Sequence, residues 1–207
     1  MAIIIIIDYG MGNVGSIKNM LKRAGHSSII TSQVSEIKNA SKLILPGIGS
    51  FDNGIKQLSD LNLIETLNEK VLDEKTPVMG ICLGMQLMTK DSEEGTLGGL
   101  GWINAKTIKF KFKQDSSLKV PHMGWNLVKI EKESKIFHGM YDQENRFYFV
   151  HSYHALCDNP EDVLTTTFYG YNFTSSFERD NIIGVQFHPE KSHKFGMQIL
   201  KNFTENF

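Results

Sequence analysis

Apolar residues along the chain follow two rhythms. Residues 2–7 are continuously apolar, the pattern of a strand buried on both faces. Val14, Ile17, Met20, Leu21 and Ala24 then recur at helical spacing, and Gly25 supplies a stop. Ser28–Thr31 reads as a second strand and Lys42–Leu45 as a third, ended by Pro46-Gly47. Leu63, Ile64, Leu67, Val71 and Leu72 predict one helix. Val78–Ile81 is a fourth apolar strand, which runs through Cys82-Leu83-Gly84 into a helical Met85-Gln86-Leu87-Met88. Strands alternating with helices across short turns predict a largely parallel sheet covered on both faces.

The second half changes character. Segments near 106–113, 125–130, 146–156, 163–169, 173–178 and 182–188 are strand-like, with a turn signal at Asp180-Asn181 between the last two. Residues 193–207 close the chain as an amphipathic helix through Phe195, Ile199, Leu200 and Phe203. The predicted fold class is therefore α/β: a mostly parallel central sheet flanked by helices, with an additional antiparallel strand region in the second half.

Composition narrows this picture. With 207 residues, 41% hydrophobic and 22% charged, the chain suits one domain spanning 1–207. A net charge of -1 gives no electrostatic case for nucleic-acid binding. In the one basic cluster, from Lys106 to Lys113, lysines alternate with apolar residues, as in an exposed edge strand. The opening apolar run is short, lacks a basic flank and ends at Asp8, unlike an export signal. No segment is long enough to span a bilayer. With only Cys82 and Cys157 for cysteines, the expectation is a cytoplasmic protein with free thiols and no membrane partner.

Three glycines, Gly10, Gly12 and Gly15, follow the first strand at dinucleotide-binding spacing. That fingerprint also needs an acidic residue at the end of the second strand. The nearest, Glu36, falls beyond the strand, after Val34-Ser35. The glycines are better read as a tight strand-to-helix turn, and no cofactor is expected.

The stronger signal is Gly80-Ile81-Cys82-Leu83-Gly84, a G-x-C-x-G between an apolar strand and a helix. It is the thiol counterpart of the nucleophile elbow. A sharp turn strains the backbone at Cys82, and glycines two residues away on each side keep strand and helix from colliding. The thiol then sits at a helix N-terminus, where the dipole favours the thiolate. Cys157 has no such setting. A thiol nucleophile needs a base, and His188 ends an apolar strand with Glu190 two residues on. Pro189 keeps His188 extended, so the two side chains would point the same way. The carboxylate would fix the imidazole tautomer and stabilise its cation. His188, Glu190 and His193 could instead hold a metal, but no further ligand cluster supports this, and no metal is expected. The backbone N–H of Leu83 is one natural oxyanion donor, and the loop Pro46-Gly47-Ile48-Gly49 is the best source of a second.

Taken together, Pro46-Gly47-Ile48-Gly49-Ser50-Phe51, Gly80-x-Cys82-x-Gly84-x-Gln86 and His188-Pro189-Glu190 resemble the class I (triad) glutamine amidotransferases. "DYGMGNVGSI", "VPHMGWN", "FYFVHSYHA" and "GVQFHPEKS" narrow the resemblance to the glutaminase subunits of imidazole glycerol phosphate synthases, over nearly the whole chain. The resemblance implies hydrolysis of L-glutamine, with Cys82, His188 and Glu190 as the triad and Leu83 and Gly49 as oxyanion donors. Gln86, Ser152 and Tyr153 would hold the substrate. It also implies a heterodimer with a (β/α)8-barrel cyclase, contacted through Asn13, Met123, Trp125 and Lys191, in which ammonia is channelled to histidine biosynthesis. "HPEKSHKFGMQILKNF" and "GGLGWINAKTIKF" further resemble copies of this subunit from bacterial surface-sugar pathways, where the same chemistry feeds another synthase. A cysteine hydrolase of another class would explain the elbow but neither Gln86 nor the HPEKS segment.

Overall fold

A computed structural model describes residues 3–113, 117–141 and 144–207; Ala2, at the start of the first predicted strand, lies outside them. The first half alternates as expected: β1 (Ile4–Ile7), α1 (Val14–Arg23), β2 (Ser28–Thr31), α2 (Val34–Lys38), β3 (Lys42–Leu45), α3 (Phe51–Asp60), α4 (Ile64–Asn68), β4 (Val78–Ile81) and α5 (Leu83–Leu87). The second half supplies β5 (Asp91–Ser92), β6 (Ala105–Lys109), β7 (His122–Ile130), β8 (Asn145–His151), β9 (Tyr153–Cys157), β10 (Val163–Tyr169), β11 (Tyr171–Arg179), β12 (Ile182–Val185) and the closing helix α6 (His193–Asn206).

The strands join in the order β2-β1-β3-β4-β12-β11-β10-β7-β8, with β9 bridging β11 to β6 and β5 beside β6. From β2 to β12 the pairing is parallel, and from β12 to β8 it is antiparallel. Alternation within each buried strand feeds two cores. Ile5, Ile7, Leu43 and Leu45 join Phe51, Leu58 and Leu67 on one face. Ile4, Ile6 and Ile44 join Ile17, Leu21, Ile199 and Phe203 on the other. Among the described residues, no helix is long and apolar enough to cross a membrane.

Four element readings change. The helix expected through 63–72 is α4 followed by a π-helical turn, Glu69–Asp73. The strand expected over 146–156 is broken at Ser152, where the His151 ring reaches round to the Tyr153 carbonyl at 2.7 Å. The lysine-rich strand is not an edge: β6 lies between β5 and β9 and ends at Lys109, after which Phe110 is buried among aromatic rings. The strand expected over 182–188 stops at Val185.

Candidate active site

Cys82 sits between β4 and α5 with φ 53° and ψ -109°, a conformation that L-residues rarely adopt outside strained functional turns. Small neighbours make the turn possible. A Cβ on Gly84 would lie 1.8 Å from the Leu45 carbonyl oxygen, and one on Gly80 2.8 Å from the Gly84 carbonyl. Helix α5 therefore touches the end of β3 backbone to backbone. The 46–49 loop is drawn equally close, since a Cβ on Gly47 would come 2.6 Å from Gly84 N. Leu83, the first residue of α5, has no intrahelical acceptor for its N–H. Gly49, at φ 125°, lines the same cavity as Leu83 and Cys82.

The base arrives from 106 positions further along the chain because β12 inserts beside β4, parallel, with Val185 opposite Ile81. Cys82 N–H donates to the Val185 carbonyl at 2.8 Å, so both strands end at one edge, and the residues after Val185 pass the thiol. His188 Nδ1 bonds Glu190 Oε1 at 2.8 Å, and both side chains are almost wholly buried. His188 itself is extended, but Glu190 sits in a 3-10 turn, Pro189–Lys191. The pairing is made by this turn, not by an extended chain as the spacing suggested. His188 Nε2 is buried and makes no hydrogen bond of ordinary geometry. Burial alone would lower its pKa, but the charge of Cys82 and the hydrogen bond and charge of Glu190 outweigh burial and push it up to about 10.

Cys82, Leu83, Gln86, Gly49, Ser152, Tyr153, His188 and Lys191 line one cavity of about 410 Å³. Gln86 Nε2 is committed to protein acceptors, the Tyr153 carbonyl at 3.1 Å and Gln186 Oε1 at 3.0 Å. Asn13, Met123 and Trp125 are not among the lining residues. Asn13 caps α1, its Oδ1 accepting from Ser16 N–H at 3.3 Å. Met123 and Trp125 are exposed on β7, 62% and 45% accessible.

Three residues about the site escaped the sequence reading. Gln186, fully buried, points its Nε2 at Cys82 Sγ, 3.7 Å away. An amide inside an apolar strand, two residues before His188, was the available signal. Tyr9, also fully buried, donates its hydroxyl to the Pro46 carbonyl at 2.6 Å, tying the opening turn to the 46–49 loop. Burial, and then the charge of Cys82, push the Tyr9 pKa upward. Glu94 lines the cavity while its Oε2 accepts the Phe51 N–H at 2.8 Å; nothing in local spacing marked it.

The opening glycines belong to this neighbourhood. A Cβ on Gly12 would lie 2.9 Å from Pro46 Cβ, whereas one on Gly15 would meet nothing within 4 Å. In a dinucleotide fold the third glycine is needed for close helix–strand packing. Here it is not, and Glu36 is exposed on α2 rather than placed at a strand end. His193 is drawn to a different neighbour from His188 and Glu190, stacking its ring on Trp125 at 5.4 Å and 2°. Burial, and then Asp162, push the thiol of Cys157, which packs half-buried against the core, up to about 12.

A strained thiol elbow thus lies beside a buried histidine–carboxylate pair at the carboxyl edge of a parallel sheet, and the chain belongs to the family Glutamine amidotransferase class-I, which matches residues 5–207. Within it the chain falls among the imidazole glycerol phosphate synthase subunits HisH, glutamine-hydrolysing enzymes of histidine biosynthesis. It is 57% identical over 202 residues to imidazole glycerol phosphate synthase subunit HisH 2 of Methanococcus maripaludis, covering 98% of each chain. It is 49% identical to the HisH 2 subunit of Pseudomonas aeruginosa, again covering 98% of each. Among solved structures, a glutamine amidotransferase of Thermotoga maritima shares the fold with TM-score 0.69 at 15% identity, covering 99% of this chain and 96% of that one. PurLQS of Thermotoga maritima does so with TM-score 0.70 at 15% identity, covering 98% and 97%.

Proposed function

We propose that Cys82, His188 and Glu190 hydrolyse L-glutamine and that the ammonia passes to a (β/α)8-barrel cyclase docked on this chain. The Cys82 thiolate attacks the side-chain amide carbon. The oxyanion that forms is met by the N–H groups of Leu83 and Gly49. His188 gives its Nε2 proton to the departing nitrogen, the C–N bond breaks and ammonia leaves, with the acyl group now on sulfur as a thioester. Water then attacks the thioester while Nε2 takes its proton, and glutamate leaves with the thiolate restored. Glu190 holds the imidazole with Nδ1–H toward its own oxygen, leaving Nε2 for this traffic.

The substrate's charged end needs matching groups. Ser152 and Tyr153 offer backbone partners, and Gln86 braces the Tyr153 carbonyl. Among the described residues Glu94 is the one carboxylate lining the cavity, and it supplies an acceptor for the α-ammonium.

The proposed docking face is the outer side of β7. Met123 (62% accessible), Trp125 (45%) and Leu127 (41%) alternate outward there, and Phe168 (66%) extends the apolar stripe onto β10. Asn13 and Lys191 belong to the same proposed interface. Sealing the cavity mouth keeps ammonia from bulk water, where it would be protonated and lost. The acceptor reaction would yield imidazole glycerol phosphate and an aminoimidazole carboxamide ribotide.

The observation that carries this reading is the positive-φ Cys82 sharing one cavity with His188, itself bonded to Glu190. The test is labelling by 6-diazo-5-oxonorleucine in the presence of the barrel. Modification confined to Cys82, with glutaminase activity abolished in Cys82→Ala, is the expected outcome. Labelling elsewhere, or undiminished activity in the variant, overturns it. The segments HPEKSHKFGMQILKNF and GGLGWINAKTIKF, which resemble copies of this subunit from surface-sugar pathways, favour a second reading, in which a different synthase takes the ammonia. A cyclisation assay with the purified barrel decides between the two acceptors.

A further inference from the structure

Behind the Ser152–Tyr153 corner runs a row of polar groups that the reaction does not use. Asn126 Nδ2 lies 3.2 Å from His122 Nε2, His122 Nδ1 lies 2.9 Å from His151 Nε2, and His151 Nδ1 lies 2.7 Å from the Tyr153 carbonyl oxygen. The direction of every hydrogen follows from the ends. A carbonyl only accepts, so His151 carries its hydrogen on Nδ1. A neutral imidazole has one N–H, so His151 Nε2 accepts and His122 Nδ1 donates. His122 Nε2 must then accept, and an amide nitrogen faces it. The orientation of that amide is fixed independently. Asn126 Nδ2 also donates to the Phe168 carbonyl at 3.0 Å, and Asn126 Oδ1 accepts from Leu127 N–H at 2.8 Å.

The row has no slack. His122 and His151 are 2% and 6% accessible. The His122 ring stacks on Tyr169 at 4.1 Å and on Phe149 at 4.9 Å, and Phe173 packs edge-on to His122 and tilted against His151. Burial keeps both neutral, lowering the pKa of His122 to about 4 and that of His151 well below its ordinary value. A proton on either ring would set two donors face to face. At its far end the row meets a carbonyl that Gln86 Nε2 also holds, at 3.1 Å, while Phe110 N–H pins the Ser152 carbonyl at 3.1 Å.

We propose that His122 and His151 are positioning residues for glutamine: a one-way hydrogen-bond relay from Asn126 through both rings fixes the Ser152–Tyr153 corner at the cavity wall. This rests on the proposal that the cavity takes glutamine. His122 is the residue to change, because it does not line the cavity. His122→Phe keeps a ring between Tyr169 and Phe149 but cannot donate to His151 Nε2. His122→Asn places an amide N–H near where Nδ1 was. In the complex with the barrel, His122→Phe should raise the KM for glutamine about tenfold, the scale of one unpaired buried acceptor, with kcat within about twofold. His122→Asn should recover most of the loss. Equal kinetics in His122→Phe and the parent, a fall in kcat at unchanged KM, or no recovery in His122→Asn overturns the relay. Histidine ¹⁵N spectra of the unmodified chain give a test independent of activity and of variant folding. Both rings should appear as neutral Nδ1–H tautomers, and an Nε2–H tautomer at either sinks the proposal. Should the parent complex neither hydrolyse glutamine nor be labelled at Cys82, the glutamine reading fails by itself, and the tautomers still report on the relay.

Discussion

At the scale of single residues, the proton on His188 is the most informative variable. With its pKa pushed up to about 10, the imidazole stays cationic across the neutral range, as the proposed protonation of a leaving amide nitrogen requires. The sign follows directly. A proton held more tightly in the folded state stabilises the fold fully below the ordinary histidine value, and that contribution is lost as pH rises through about 10. Thioester formation should therefore hold level from neutral pH to near 9 and fall above it, read by pre-steady-state release of ammonia. Because much of the upward push comes from Cys82, Cys82→Ser should bring His188 down, toward or below its ordinary value, in an NMR titration; an unchanged midpoint would mean that the thiol does not act on the ring. Cys82, His188 and Glu190 were legible in the sequence because each sits in a short motif with its own local geometry. Gln186 and Tyr9 were not, since one acts by meeting Gln86 and Cys82, about a hundred positions away, and the other by meeting Pro46, 37 positions away.

Among elements, the pairing of α6 with the sheet turns on one buried cation. Lys42, 5% accessible on β3, donates Nζ to the carbonyls of Phe203 at 3.1 Å and Thr204 at 2.8 Å, and to that of Phe207. These are the acceptors that the last turn of a helix leaves unsatisfied. Burial, and then Lys135, lower the Lys42 pKa, so its charge is held at some cost. Lys42→Met keeps the apolar stem but strands those carbonyls, and should destabilise the protein by about 2 kcal/mol, the scale of charged hydrogen bonds. A shift in the urea midpoint, with faster hydrogen exchange confined to the end of α6, would show it. An unchanged midpoint would mean that water satisfies the helix end. Here again legibility has a physical boundary. The buried strands β1, β3 and β4 were plain, since both faces of each meet a core. Helix α3 is hard to read from the sequence although Phe51, Ile55 and Leu58 recur at helical spacing, because Asp52, Asn53 and Gly54 between them imitate a loop. The break at Ser152 depends on where the His151 ring turns, which no periodicity records.

For the whole molecule, the placement of β12 underlies both the proposed chemistry and the proposed docking face. By entering beside β4, it carries His188 to Cys82 and leaves the antiparallel strands to extend the sheet outward. The sequence foretold an antiparallel region, but not that β12 would join it to the parallel strands, because the register between β12 and β4 is a long-range fact. The outward extension ends in a sheet face whose inner residues, His122, Asn126 and Val128, are at least partly buried and whose outer ones, Met123, Trp125 and Leu127, are exposed. An apolar stripe of this kind, rimmed by Lys129, Arg146 and Lys191, has the anatomy of an interface: aromatic anchors at the centre and charge at the edge. Trp125 is partly ordered in advance, stacked on His193 and edge-on to Tyr148 at 6.3 Å, so little side-chain entropy remains to be lost on binding. Phe168, two-thirds exposed, shares a groove with Leu127 and, among the described residues, has no such ring partner. Phe168→Glu should leave stability within about 0.5 kcal/mol, as for other exposed positions, yet weaken association with the barrel about tenfold by placing a carboxylate against an apolar partner surface. Trp125→Ala should cost more, about 2 kcal/mol or above in binding, as aromatic anchors do. Isothermal titration of both variants against the barrel separates the possibilities. Equal losses would make the stripe a uniform contact with no anchor, and binding undiminished in both would move the partner to another face of the molecule.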